Sequence, residues 1–214
     1  MRIKICGLYR DEDIDFINEG RPDYIGFVFA NSPRYVSPAL AQYLRFRIAD
    51  GITPVGVFVN APIAMITELY HNGIISIAQL HGKEDESYIT QLKRLTETKI
   101  RQTRIPGIKV IKTITINPSS KIPAVSQQIP GNADYILLDS GAGSGKTFDW
   151  KQLDSKKFDK PWFLAGGINL KNIEQAIKLK PFAIDVSSGA ETNGIKEREK
   201  ILKLINAVRQ GHTK

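Results

Sequence analysis

Two side chains that can transfer protons stand where short apolar runs of the chain end. Cys6 closes a run that begins at Arg2, and Asp139 follows Tyr135-Ile136-Leu137-Leu138. A thiol has an unperturbed pKa of about 8.5, which nearby positive charge or a helix N-terminus readily lowers, so it can act as a nucleophile or a general base. Burial raises the pKa of a carboxyl group, which suits a general acid. The pair predicts proton-transfer chemistry such as an isomerisation, without a cofactor.

Each of these two residues also has a structural interpretation. A lone cysteine in an apolar strand, such as Cys6, is more often a small buried hydrophobic residue. An aspartate just after a strand, such as Asp139, often caps a helix or closes a turn. The residue types alone leave both interpretations open, and the joint placement of the two groups at strand ends favours catalysis.

Small residues that could form an anion-binding site follow two later apolar runs. Gly166-Gly167 follow Trp162-Phe163-Leu164-Ala165, and Ser187-Ser188-Gly189 follow the run from Phe182 to Val186. A strand end without bulky side chains lets an anion reach backbone N–H groups and a following helix N-terminus. Two such segments, one β-α unit apart, predict a shared phosphate site, as occurs after strands 7 and 8 of (β/α)8 barrels.

Three further polar residues stand at or near predicted strand ends. Arg34, in a loop restricted by Pro33, is a candidate for holding a substrate carboxylate through two hydrogen bonds, with an exposed loop arginine as the alternative. His81 is a candidate second acid or base, with a structural histidine as the alternative. Asp185 lies inside a predicted strand, so we expect a neighbouring backbone or side-chain donor to be its partner.

A glycine-rich segment, Gly141 to Lys146, resembles a nucleotide-binding loop only in part. Gly145-Lys146-Thr147 ends like a P-loop, but Ser140 stands where that motif requires a glycine, and no helix start follows the lysine. We therefore expect a loop that closes over the active site and excludes water, with Lys146 able to reach an anion.

Eight short apolar runs alternate with segments of helical period along the whole chain. The runs are Arg2 to Cys6, Asp23 to Phe29, Thr53 to Val59, Ile75 to Leu80, Lys109 to Ile114, Asp134 to Leu138, Pro161 to Ala165 and Phe182 to Val186. This alternation is typical of a parallel sheet wrapped by helices. Eight units of about 27 residues each predict a compact (β/α)8 barrel. An open doubly wound sheet has the same alternation, although the glycine-rich dinucleotide turn is missing after the first run.

The segments between the runs carry helix signals. Asp11-Glu12-Asp13 suit a first helical turn, with a stop at Gly20. Pro62 suits a first helical position. A stripe of apolar residues with i, i+3, i+4, i+7 spacing, which predicts a helix face packed on the sheet, comprises Ile201, Leu204, Ile205 and Val208.

Length and composition limit the function classes. The 214 residues, 42% of them hydrophobic, suit a single domain covering residues 1–214. The net charge of +8 is spread over the predicted helices, which favours a solvated surface and a small anionic substrate over nucleic acid. One cysteine and three histidines without zinc-ligand spacing predict no metal site and no disulfide. The strand-like start and the short apolar runs predict a cytoplasmic protein without signal peptide or membrane contact. A monomer and a homodimer both remain open.

Taken together, the motifs of this chain resemble those of the phosphoribosylanthranilate isomerases. No single motif is specific, but their order and spacing over nearly the whole chain are. The matching segments are Lys4-Ile5-Cys6-Gly7, Gly26-Phe27-Val28-Phe29, Ser32-Pro33-Arg34, Val55 to Asn60, Gln79-Leu80-His81-Gly82, Leu137-Leu138-Asp139-Ser140, Gly145 to Trp150, Leu164 to Ile168 and Asp185 to Glu191.

The resemblance implies a cofactor-free Amadori rearrangement of N-(5-phosphoribosyl)anthranilate in tryptophan biosynthesis. It implies that Asp139 protonates the ribose ring oxygen, that Cys6 removes the C2′ proton, and that Arg34 holds the anthranilate carboxylate. The phosphate would bind at Gly166, Gly167, Ser187, Ser188 and Gly189. Two alternatives remain: another phosphate-binding barrel of tryptophan or histidine biosynthesis, and a nucleic-acid binder favoured by the positive charge.

Overall fold

The computed structural model describes residues 1–100, 103–116, 129–139, 150 and 158–211. The strands are β1 Arg2–Cys6, β2 Tyr24–Val28, β3 Thr53–Phe58, β4 Ile77–Leu80, β5 Thr98–Ile100, β6 Thr103–Ile105, β7 Lys109–Thr115, β8 Tyr135–Asp139, β9 Trp162–Leu164, β10 Ala183–Val186, β11 Glu191–Thr192 and β12 Ile195–Lys196. The helices are α1 Asp11–Gly20, α2 Pro38–Arg47, α3 Ile63–His71, α4 Glu86–Thr96, α5 Ile173–Lys178 and α6 Arg198–Gln210. Of the helices in these ranges, none has the length and apolar character needed to span a lipid bilayer.

Eight of the strands run parallel and close into a barrel. Their order is β1-β2-β3-β4-β7-β8-β9-β10, and β10 pairs with β1 to complete the ring. The predicted (β/α)8 barrel is therefore confirmed, and the open sheet, which would leave two unpaired edges, is wrong for this chain. Each predicted apolar run overlaps one barrel strand, and the ends differ by at most two residues.

The helix boundaries follow the predicted signals with small differences. Helix α1 ends at Gly20 as predicted, but the left-handed residue that follows is Arg21, with φ of 53°. A methyl group on Gly20 would lie 2.6 Å from Ile205 Cδ1, so this glycine lets α6 pack closely on α1. Pro62 precedes the first residue of α3 and does not occupy it. The predicted stripe of α6 is buried at all four positions.

Side chains alternate between two apolar layers. Ile3 and Ile5 of β1 belong to the large core between the barrel and the helices. Residues one position out of phase with that layer point into the barrel, because successive strand residues face opposite sides. A smaller core of this kind includes Tyr24, Leu137 and Phe163. Lys4 and Cys6 alternate with the two isoleucines and so share this interior.

Two antiparallel hairpins that the sequence analysis did not predict lie outside the barrel. Strands β5 and β6 pair between α4 and β7, at the N-terminal end of the barrel strands. Strands β11 and β12 pair after β10, at the opposite end. Asn193 and Gly194 connect the second pair with φ of 53° and 81°, as a tight two-residue hairpin turn requires. This turn sets Glu191 directly opposite Lys196, a pairing that the functional site uses.

Candidate active site

A cavity of about 780 Å³ opens at the C-terminal ends of the barrel strands. Nine of the predicted site residues line it, namely Cys6, Arg34, His81, Asp139, Gly166, Gly167, Asp185, Ser187 and Ser188. Gly189 lies beside it, in an adjoining groove of about 390 Å³ that Gly167 and Ser188 also line. Gly145 and Lys146, with the predicted closing loop, fall outside the described residues. The barrel thus brings together groups that come from both ends of the sequence.

Cys6 ends β1 at the base of this cavity, with its side chain 7% exposed. Burial raises the pKa of the Cys6 thiol, and the neighbouring Lys4 ammonium opposes this effect without cancelling it. Positive charge near a thiol lowers its pKa, but at Cys6 the removal from water outweighs the charge of Lys4. Gly26 of β2 makes room for the sulfur, because a methyl group there would lie 2.5 Å from Cys6 Sγ.

Asp185 has the partner that we expected, and the partner is Lys4. The Lys4 ammonium donates to Asp185 Oδ1 at 3.0 Å and to Oδ2 at 3.1 Å. Burial lowers the pKa of Lys4, but its contacts with Asp185 and Cys6 outweigh burial, so the pKa is raised and the group stays charged. Lys4 was not predicted as a site residue, although it stands two residues before Cys6 and so faces the same side of β1.

Asp139 ends β8 on another wall of the cavity and faces His81. His81 Nε2 lies 3.5 Å from Asp139 Oδ2, and the two side chains are 27% and 13% exposed. Burial lowers the pKa of His81, and the Asp139 carboxylate only partly opposes this. The shift favours the neutral imidazole, which adds no positive charge beside Asp139.

A buried charged network that sequence reasoning missed holds the turn that follows His81. Glu84 Oε1 accepts from the backbone N–H of Asn60 at 2.6 Å, and Oε2 accepts from that of Gly82 at 2.9 Å. Lys112, at the centre of β7, donates to Glu84 Oε2 at 2.9 Å and to the Gly82 carbonyl at 2.7 Å. These bonds join the ends of β3 and β4 to the centre of β7 and fix the backbone that carries His81.

Arg34 is held at the rim by the hairpin of β11 and β12. Its Nε donates to Glu191 Oε1 at 2.7 Å, and its second terminal nitrogen donates to Oε2 at 2.6 Å. Lys196 also donates to Glu191 Oε1. Burial would raise the pKa of Glu191, but these donors outweigh it and hold the pKa below its usual range. Glu191 and Lys196 were not predicted as site residues, although Asn193-Gly194 is a strong hairpin signal.

The predicted phosphate region is built of glycine backbone more than of helix ends. Gly166 and Gly167 have φ of 91° and 65°, a conformation that favours glycine. A methyl group on Gly189 would lie 1.9 Å from the Ile168 carbonyl oxygen, so the two segments touch. Only a one-turn 3-10 helix, Ser188–Ala190, follows β10, and α5 begins six residues after Gly167. The backbone N–H groups of these turns are therefore better placed to bind an anion than the N-terminus of a long helix.

Within the described part of the chain, no three His, Cys, Asp or Glu side chains are grouped so as to hold a metal ion. The titratable and charged groups of the cavity are one thiol, one carboxyl–imidazole pair, the Asp185 carboxylate and one guanidinium, and the small residues after β9 and β10 add backbone amides. Such a set can move protons and bind two anionic groups.

Comparison with known proteins points to one family. A family model described as N-(5'phosphoribosyl)anthranilate (PRA) isomerase matches residues 3–207. N-(5'-phosphoribosyl)anthranilate isomerase of Endomicrobium trichonymphae is 42% identical, over 97% of this chain and 98% of its own length. The protein of the same name from Clostridium acetobutylicum is 38% identical, over 98% of each chain.

Solved structures agree with the sequence matches. The crystal structure of phosphoribosyl anthranilate isomerase from Thermotoga maritima has a TM-score of 0.81 and 33% identity, over 98% of this chain and 99% of that one. A structure of the isomerase in complex with reduced 1-(o-carboxyphenylamino)-1-deoxyribulose 5-phosphate has a TM-score of 0.79 and 31% identity, with the same coverage. On the match of its residues 3–207 and its full-length relatives, this chain belongs to the N-(5'-phosphoribosyl)anthranilate isomerase family.

Proposed function

We propose that this protein catalyses the cofactor-free Amadori rearrangement of N-(5-phosphoribosyl)anthranilate to 1-(2-carboxyphenylamino)-1-deoxyribulose 5-phosphate, in tryptophan biosynthesis. The observation that carries the proposal is that Cys6 and Asp139 line one cavity together with Arg34 and the small residues after β9 and β10. The cavity volume of about 780 Å³ suits a small molecule. Family membership supports the same reaction.

Asp139 is the general acid and Cys6 the general base of this proposal. Asp139 donates a proton to the ribose ring oxygen, the C1′–oxygen bond breaks, and a Schiff base forms. Cys6, as the thiolate, removes the C2′ proton and gives an enolamine. The enolamine takes up a proton at C1′ and loses the proton of its C2′ hydroxyl, so the product is an isomer of the substrate. Both catalytic groups then exchange protons with solvent to start the next turnover.

Two anionic ends of the substrate have matching positions at the rim. Arg34 holds the anthranilate carboxylate, because its guanidinium lines the cavity and is oriented by Glu191. Backbone N–H groups of Gly166, Gly167, Ser187, Ser188 and Gly189 hold the phosphate. Neutral His81 supports Asp139 through their 3.5 Å contact. We also place the reaction in the cytoplasm, since a single cysteine and a biosynthetic role fit a reducing compartment.

Replacement of the two proton-transfer groups tests the assignment. Cys6→Ser and Asp139→Asn each lower kcat by about a hundredfold or more, the usual contribution of a general acid or base. Arg34→Ala mainly raises KM, through loss of a charge-assisted contact. Steady-state kinetics of the purified variants measures all three effects.

Asp134→Asn is the matched control for the Asp139 variant. Asp134 stands just before β8, at the opposite end of the same strand, where it accepts from the Val110 N–H at 2.8 Å. The control changes stability and leaves turnover near that of the unmodified protein. Normal turnover of Cys6→Ser or Asp139→Asn in folded protein would reject the assigned roles.

A further inference from the structure

A buried ion pair lies directly beneath the proposed base. Lys4 and Asp185 face each other on the neighbouring strands β1 and β10. The Lys4 side chain is 0% exposed and that of Asp185 is 8% exposed, so water screens their charges poorly. The surrounding positions of the barrel interior carry apolar residues, among them Leu137 and Phe163.

The Lys4 ammonium has one N–H group more than Asp185 uses. An ammonium carries three donors, and two of them point at the carboxylate oxygens at 3.0 Å and 3.1 Å. Lys4 and Cys6 are two residues apart on one strand and face the same side. The third donor belongs to a side chain on the same face of β1 as the Cys6 thiol, and the charge of Lys4 favours the thiolate. The thiol therefore lies beside a buried positive charge whose own partner is a buried negative charge.

Stability alone does not account for this pair. Replacing a buried ion pair by apolar residues of similar volume is often neutral or stabilising, because taking two charges out of water costs free energy. We propose that Lys4 and Asp185 are positioning residues for Cys6. Lys4 stabilises the Cys6 thiolate. Asp185 keeps the Lys4 ammonium charged and oriented, and its negative charge offsets part of the effect of Lys4 on the thiol. This inference rests on the proposed role of Cys6 as the general base.

Other charged groups also face Cys6, and their effect on the thiol pKa is smaller than that of Lys4. Lys196 of β12 and Arg34 of the loop after β2 act on the thiol through their charge. Both are hydrogen-bonded to Glu191, which offsets much of their positive charge at the sulfur. Asp139 and His81 line the same cavity from β8 and the end of β4. Among the positive groups, Lys4 lowers the pKa of the Cys6 thiol most, and it is the one that shares the inner face of β1 with Cys6.

The test titrates the thiol directly. Cys6 is the only cysteine of the chain, so the pH dependence of its alkylation by iodoacetamide, followed by mass spectrometry, reports on this thiol alone. The double variant Lys4→Met/Asp185→Asn keeps side-chain volume and leaves no unpaired buried charge, which preserves the fold. It raises the thiol pKa by about 1 or more, since the nearer charge is lost. Asp185→Asn alone shifts the pKa in the opposite direction, downward, because Lys4 then has only the thiolate as a partner.

Lys112→Met is the matched control for a buried lysine. Lys112 is also buried, where it is the partner of Glu84, and it does not contact Cys6. Its loss lowers the free energy of unfolding and leaves the thiol pKa unchanged. Unchanged thiol pKa values in the Lys4 and Asp185 variants, or shifts of the same sign in both, overturn the inference.

Kinetics separates this inference from the proposed function. If Cys6 is the base, kcat/KM of the double variant falls about tenfold at neutral pH and recovers toward the unmodified level at alkaline pH. A shifted thiol pKa with an unshifted pH profile rejects Cys6 as the base and leaves the role of the ion pair intact. An unshifted thiol pKa rejects the role of the pair and leaves the isomerase activity intact.

Discussion

Replacement of Gly26 by alanine tests whether the position of the Cys6 sulfur sets the rate. The added methyl group would lie 2.5 Å from Cys6 Sγ, 3.1 Å from Cys6 Cα and 3.2 Å from Cys6 Cβ. Ordinary contacts between heavy atoms are about 3.5–4.0 Å, so the sulfur must move by about 1 Å or more. The Cα and Cβ contacts prevent a simple side-chain rotation from relieving the whole overlap.

The expected result is a large loss of turnover with a modest loss of stability. A reacting group misplaced by about 1 Å costs about a hundredfold in rate. An extra methyl group in a packed interior costs about 1–3 kcal/mol in the free energy of unfolding. We therefore expect kcat of Gly26→Ala to fall about a hundredfold, while KM changes little because Arg34 and the glycine turns are untouched. Steady-state kinetics and urea unfolding measure the two quantities.

Gly56→Ala provides the control, because it creates a similar overlap away from the thiol. Its methyl group would lie 2.6 Å from the Phe58 ring and 3.1 Å from Ile75 Cδ1, in the layer between barrel and helices. We expect a comparable loss of stability and a kcat within about threefold of the unmodified protein. Equal kcat losses in the two variants, or an unchanged kcat in folded Gly26→Ala, would refute the reasoning.

Two further predictions follow from the contacts at the rim and at the thiol. Glu191→Gln weakens the double hydrogen bond that orients Arg34. We expect KM to rise by about tenfold in steady-state assays, with kcat nearly unchanged. A fall in kcat at constant KM would contradict this. Because the pKa of Cys6 is raised, a smaller fraction of this thiol is ionised near neutral pH than of an ordinary thiol. A base acts when deprotonated, so kcat/KM rises with pH through neutrality, and a pH–rate profile that is flat there would contradict Cys6 as the base.

Apolar runs and the residues that end them predicted the barrel and nine of the residues that line the cavity. The carboxyl ends of parallel strands meet at one end of a barrel, so Cys6 and Asp139 could be placed together without any knowledge of tertiary contacts. The β5–β6 hairpin escaped prediction because strands of three residues carry too little periodicity to be distinguished from loops.

Charged partners were harder to predict than catalytic groups. A lysine inside a short strand, such as Lys4, usually indicates a solvent-facing side. In a closed barrel wrapped by helices both sides of the strand are buried, so Lys4 must find a partner, and only the register with Asp185 identifies it. The net direction of the Cys6 pKa shift could not be predicted for the same reason, since it depends on the balance between burial and the nearby charges.

Arg34 forms an ion pair with the carboxylate of Glu191. A guanidinium that is fixed in place in this way loses little conformational freedom when a second carboxylate binds to it. In the proposed reaction the substrate and the product carry the same anthranilate carboxylate, so this saving in entropy applies to both. The rim therefore holds the aromatic end of either molecule at a low entropic cost.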